Sequence, residues 1–218
     1  MGKRKIKDPA SALSHMIGVI LSIVGLVILV YKAATEGNVW HVVSFSIYGA
    51  SLILLYSAST LYHAIFGSEK VNRVLRKIDH SMIYVLIAGT YTPLCLVALH
   101  GAWGWSIFGT VWGITVIGIV LKAVWIDAPR WLSTLVYVLM GWIVVIPIVP
   151  LVRSITLPGL AWLGIGGLFY SIGAIIYGTK WPKIKSKVFG FHELFHLFVL
   201  GGSISHFWLM ARFVLPIS

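Results

Sequence analysis

Apolar stretches long enough to cross a bilayer dominate this chain. A membrane-spanning helix needs about 20 consecutive, mostly apolar residues. Reading the apolar runs against charged punctuation predicts seven spans, at roughly 12–34, 40–66, 78–99, 102–124, 131–152, 158–179 and 189–214. No soluble fold hides so much apolar surface: 59% of the 218 residues are hydrophobic and only 11% are charged. The expectation is an all-α, multi-pass protein of the cell membrane, with residues 1–218 forming one seven-helix domain behind a short basic segment, 1–11. Its short connections make consecutive helices antiparallel neighbours.

The basic residues orient the bundle. If the N-terminus is cytoplasmic, Lys3, Arg4, Lys5 and Lys7 lie inside, as do Lys70, Arg73, Arg76 and Lys77. Lys122, Arg130, Lys180, Lys183, Lys185 and Lys187 join them, and only Lys32, Arg153 and Arg212 fall outside or near it. That asymmetry predicts a cytoplasmic N-terminus and an external C-terminus. It also explains the net charge of +11 as topology and attraction to anionic lipid headgroups, with no nucleic-acid partner. "MGKRKIKDP" runs into a full-length span with no small-residue cleavage site, so it is not read as a signal peptide. The one cysteine, Cys95, excludes an intrachain disulfide. Gly109 and Gly113, and Gly164, Gly166, Gly167 and Gly173, are expected where helices pack closely. Pro93, Pro147 and Pro150 are expected to bend spans three and five.

Ionisable groups inside spans are costly and mark function by default. The topology sets His63, Asp79, His192 and His196 at one depth, near the inner side. His192 and His196 are four residues apart and share a helix face, so the pair can grip one ion. His63 and Asp79 flank the hairpin "AIFGSEKVNRVLRKI", and Ser59 lies one turn deeper than His63 on the same face. Three imidazoles with an open fourth position form a catalytic zinc arrangement, in which bound water reaches a pKa near 7. Asp79 would hold that water, and Ser59 would bond the water or a substrate carbonyl. Other readings stand beside this one. "HELFH", residues 192–196, spells the H-E-x-x-H of zinc proteases, with Glu193 as base and His63 or Asp79 as third ligand. A Ser59–His63–Asp79 triad would leave His192 and His196 unexplained. His206 lies ten residues beyond His196, too far to share the ion, and is expected to make a buried hydrogen bond. His15 suits a supporting place behind the ligands. His80 and Glu193 point about 100° away from their ligand neighbours on the helix. His41 and His100 are expected to be solvated on the outer side.

"SASTLYH", "KIDHSMIY", "AGTYTP" and "HELFHLFVLGGSISHF", with "SHMIGVILSIVGLVILV" at the start, resemble the haemolysin III branch of the progestin and adiponectin receptor family over nearly the whole chain. The resemblance implies seven helices around a cavity. It implies zinc on His63, His192 and His196, approached through water by Ser59 and Asp79. It relates the chain to membrane metal-dependent hydrolases, including receptor-branch members that look like ceramidases. Haemolysin III members took their name from lysis of red cells, so a pore-forming cytolysin and a non-catalytic regulator with structural zinc are the alternatives. The receptors' long N-terminal domain has no counterpart in this chain, so a hormone-receptor role is not carried over. The preferred expectation is a zinc-dependent hydrolase of a lipid amide or ester, with an intramembrane protease less favoured.

Overall fold

A computed structural model describes residues 6–184, 186 and 188–217. Lys3, Arg4, Lys5, Lys185 and Lys187, five of the basic residues used to orient the chain, lie outside the described residues. The helices are α1 (Pro9–Glu36), α2 (Val39–Ala64), α3 (Glu69–Pro93), α4 (Gly101–Val124), α5 (Arg130–Gly141), α6 (Ile148–Ser154), α7 (Leu157–Thr179) and α8 (Phe191–Leu209). Two of them widen into π-helical turns, α3 through Leu94–Ala98 and α8 through Met210–Val214. Among the described residues six helices are long and apolar enough to cross a membrane, and α5 with α6 makes a seventh if that bent pair is one span.

The two spans with prolines depart from regular α-helix as the missing N–H groups require. The α5–α6 pair bends by 59° where Pro147 stands between its halves. At Pro93 the chain does not stop but passes into the wider turns. The largest departure from expectation is at the start of α3, which begins at Glu69 and not near residue 78. Ser68 caps it, its Oγ accepting from the Val71 N–H at 3.4 Å. The charged stretch 69–78 reads as a loop by hydropathy, yet Glu, Lys, Arg and Leu are good helix formers. Asp79 therefore lies ten residues into the helix and does not open it.

The bundle closes on itself. α1 packs on α2, α2 on α3, α3 on α5, α5 on α7, α7 on α8, and α8 returns to α1; α4 flanks α3. α2 supplies much of the core through Phe45, Tyr48 and Tyr56, all essentially inaccessible. Outward faces are apolar: Leu13, Ile20 and Val27 on α1, and Val116, Ile117 and Val120 on α4, are exposed. Hydrocarbon satisfies such a surface and water does not. The protein is an integral, multi-pass membrane protein.

Close packing falls partly on other glycines than expected. Gly109 and Gly113 face outward with open space beside them; Gly164 and Gly167 also have open space beside them, Gly167 in the wall of an internal cavity. Gly166 does pack, against the His206 ring, and a Cβ at Gly18 would lie 2.5 Å from Tyr56. The small-residue spacing identifies a smooth helix surface without saying which neighbour uses it.

Candidate metal centre

The site begins with the end of α2. The last carbonyls of a helix have no partner within it. Here the segment before α1 supplies them: Asp8 N–H donates to His63 O at 2.8 Å, and Lys7 Nζ donates to Tyr62 O at 3.0 Å. The Lys7 ammonium also sits 3.7 Å over the Tyr62 ring. Burial lowers the pKa of Lys7, while the Asp8 and Asp79 carboxylates work to raise it. This strap fixes Asp8 beside His63. Asp8 occupies the capping position of α1, but its side chain makes no cap. Its Oδ2 instead accepts from His63 Nδ1 at 3.0 Å.

That bond assigns the His63 tautomer. With Nδ1 protonated, the Nε2 lone pair is free. The same logic holds for His196. Ser14 Oγ donates its one hydrogen to Ser11 O at 2.9 Å, so it accepts from His196 Nδ1 at 3.1 Å. Nε2 of His196 is thereby left unprotonated. The His196 ring is further held by His15, stacked on it with centroids 3.6 Å apart and planes 12° from parallel. His192 completes the set.

One ring nitrogen from each of His63, His192 and His196 lies within 4.8 Å of the other two. Nε2 of His63 and Nε2 of His192 are 3.1 Å apart. Two ligands at about 2.0–2.1 Å from a tetrahedral ion stand roughly 3.3 Å apart, so this separation suits a shared cation. The donor set also fits: Nδ1 of His63 is tied to a carboxylate and Nδ1 of His196 to a hydroxyl, the outer bonds that orient metal-binding imidazoles. Three histidines from α2 and α8 thus lie close enough to hold a metal ion, as the spacing predicts.

Ser59 and Asp79 do not join the three nitrogens. They line a cavity of about 160 Å³ with apolar walls, including Leu55, Ile83 and Val199, into which His192 and His196 also face. A second, polar cavity of about 510 Å³ lies at the end of the bundle that carries the N-terminus; Asp8, His63, Asp79 and His192 are in its wall. Asp79 and His192 belong to both, so the histidine cluster stands where the polar vestibule meets the apolar chamber.

Several other sequence expectations are settled. His206 makes its buried bond, Nε2 donating to Leu163 O at 3.2 Å. His41 is 1% exposed and not solvated; its Nδ1 accepts from the Asn38 N–H at 3.2 Å as part of the α2 cap. His100 is exposed. His80 faces both cavities, since α5 and α7 cover its side of α3; Tyr137 Oη donates to its backbone carbonyl at 3.1 Å. Glu193 does not face the lipid interface. Its Oε1 accepts from Ser11 Oγ at 2.5 Å and its Oε2 from Gly190 N–H at 2.8 Å. Both oxygens are therefore occupied, Oε1 in tying α1 to α8 and Oε2 in capping the start of α8.

Asp8 and Ser14 are the contributors that the sequence reading misses. Asp8 lies in the charged segment before the first span, and Ser14 is one serine among several in α1. The strap's bond to the end of α2 gives Asp8 its role, and the return of α8 to α1 gives Ser14 its own. The available signal was the run of polar groups, Asp8, Ser11, Ser14 and His15, on an otherwise apolar helix. Asp8→Asn should weaken metal binding about ten- to hundredfold, the usual effect of losing such a partner. Competition with a chelating dye measures it.

A helical membrane bundle with three imidazoles gathered at one end defines a class of polytopic proteins built around a candidate metal centre. The family described as haemolysin-III related matches residues 3–207, and the chain belongs to it. It is 42% identical over 210 residues to Hemolysin-3 of Bacillus cereus, covering 96% of this chain and 93% of that protein. It is 45% identical over 202 residues to the Hemolysin-3 homolog of Bacillus subtilis (strain 168), covering 93% and 92%. A more distant relative is the monocyte to macrophage differentiation factor of Homo sapiens, 22% identical with 94% of this chain and 83% of that protein covered.

Proposed function

We propose that the protein is a zinc-dependent hydrolase that cleaves an amide or ester bond of a membrane lipid. One observation carries the proposal: a three-imidazole cluster faces a carboxylate and a hydroxyl at the junction of a polar and an apolar cavity. The donor set suits zinc, which when bound supplies an acidified water and polarises a carbonyl. The residues of the chain divide the remaining work. The apolar chamber takes the acyl chain and places the scissile carbonyl near Ser59, whose hydroxyl donates to its oxygen. Asp79 accepts the proton of the attacking water and returns it to the leaving amine or alcohol. The outer bonds of Asp8 and Ser14 keep the proton on Nδ1 of His63 and of His196, so that Nε2 of each presents its lone pair. With a cytoplasmic N-terminus, as the basic residues argue, the vestibule opens to the cytosol and lipids of the inner leaflet are the source of substrate.

The alternatives draw less support. A protease of the H-E-x-x-H kind needs Glu193 free to act as base, and its two oxygens serve Ser11 and Gly190. The printed name of the Bacillus cereus relative speaks for lysis. The chamber walls, apolar at Leu55, Ile83 and Val199, suit a lipid tail better than a water-filled pore. A purely structural zinc is normally closed by four ligands, whereas three imidazoles converge here.

The experiment incubates purified full-length protein with a membrane lipid extract, before and after chelation, and measures free fatty acid. Release that stops on chelation and resumes with added zinc is the expected result. No release from any lipid class, by protein shown to contain zinc, would overturn the proposal.

A further inference from the structure

The vestibule is lined by two unlike sets of side chains. Asp8, His63, Asp79, His192 and Glu193 supply carboxylates and imidazoles; Arg76, Lys122 and Arg130, from α3, the end of α4 and the start of α5, supply cations. The positive-inside rule explains exposed basic residues, which meet lipid headgroups. It does not explain Lys122, which is 4% exposed. Its Nζ donates to Ser133 Oγ at 2.5 Å, and among the described residues no carboxylate lies within 4.0 Å of it. Arg130 is likewise without an acidic partner among the described residues. It is held in place all the same: its guanidinium lies 4.8 Å over the Tyr177 ring, and Nη1 donates to Tyr177 O at 3.4 Å. Arg76 is anchored by Asp127 at 3.3 Å. A buried ammonium facing a polar cavity, with a fixed guanidinium lining the same cavity, is a costly arrangement unless an anion completes it.

We infer that Arg76, Lys122 and Arg130 form an anion subsite that holds a phosphate group in the vestibule that His63 and His192 also line. Arginine forks and a lysine point charge are the usual recognition set for phosphate oxygens. The group is either the headgroup of a lipid or free phosphate. The inference deepens the hydrolase reading and rests on it for one point, that the lipid held by its phosphate is the lipid cleaved. A substrate so held is anchored at both ends, its tail in the apolar chamber and its headgroup on the vestibule's cations, with the scissile bond at the histidines between them.

The test uses full-length protein in uncharged dodecyl maltoside micelles, with bound lipid counted by native mass spectrometry. Phosphatidic acid should be retained over diacylglycerol by about tenfold or more, the scale set by a fixed charge-assisted contact. Lys122→Met and Arg130→Gln should each remove the preference. Lys70→Gln, which removes an exposed charge from the same end, should keep it. Should the Lys122 variant fail to fold, Arg130→Gln decides alone. Inorganic phosphate that displaces phosphatidic acid would assign the subsite to free phosphate; failure to displace it would assign it to the headgroup. Undiminished preference in the folded variants, or equal loss in Lys70→Gln, overturns the inference. Binding needs no turnover, so the two readings fail separately. Lys122-dependent binding without fatty acid release sinks the hydrolase and keeps the subsite. Equal release from neutral and phosphate-bearing lipids, with no Lys122-dependent binding, does the reverse.

Discussion

His63→Ala, purified in the membrane-mimetic used for the parent protein, should contain no stoichiometric metal, where the parent should carry about one zinc per chain. The expected loss of affinity exceeds the ten- to hundredfold that an outer partner such as Asp8 supplies, because a direct ligand is removed. His196→Ala should behave alike, although its ring is stacked on His15 and its removal opens space in the core. His206→Ala is the control. That imidazole is equally buried and packs on Gly166, yet it bonds Leu163 and belongs to the other half of α8. It should cost stability and leave the metal content unchanged. Elemental analysis reads all three. A His63→Ala protein with its full complement of zinc would remove the centre from α2. A thermal scan adds a second readout: added zinc should raise the melting temperature of the parent and leave His63→Ala unmoved, since only a competent site stabilises the folded state by binding.

Asp79→Asn should keep its zinc and lose fatty acid release by about 10²–10⁴-fold, the usual contribution of a positioned general acid–base. Asparagine preserves shape and can still hydrogen-bond, so a folding defect is not the expected cause. The separation of metal content from turnover is the informative part. Asp79 is absent from the three-nitrogen cluster but shares both cavities with His192. Loss of zinc together with activity would make it a ligand; turnover within a few fold of the parent would make it a bystander.

The outline of this site was legible because two kinds of signal coincide in it. A four-residue repeat of histidine puts two rings on one helix face whatever surrounds them. Alternating spans then convert sequence position into depth, which is how His63 could be matched to residues 129 and 133 positions away. Neither signal extends to lateral arrangement. That the strap meets the end of α2 and that α8 returns to α1 are properties of the packed bundle, so the parts played by Asp8, Ser14 and Glu193 could not be read from their spacing. His41 was misplaced for a related reason. Its position near a helix start suggests solvent, but a capping bond to Asn38 turns it into the core. The early start of α3 was hidden because hydropathy reports which residues lipid accepts, whereas helix formation in 69–78 depends on backbone propensity and the Ser68 cap. Lys122 carries the same lesson: charge counting places it at one end of the bundle, and only the packing of α4 against its neighbours shows that it is buried.

The strap and the closed ring have a consequence for how the protein is made. Asp8 and His196 stand far apart along the chain, so the two flanks of the centre leave the ribosome at well separated times. A chain that stops before α8 cannot assemble it. An ion bound there would therefore be captured only after α8 has been inserted and packed against α2, and its presence would report that this packing is complete.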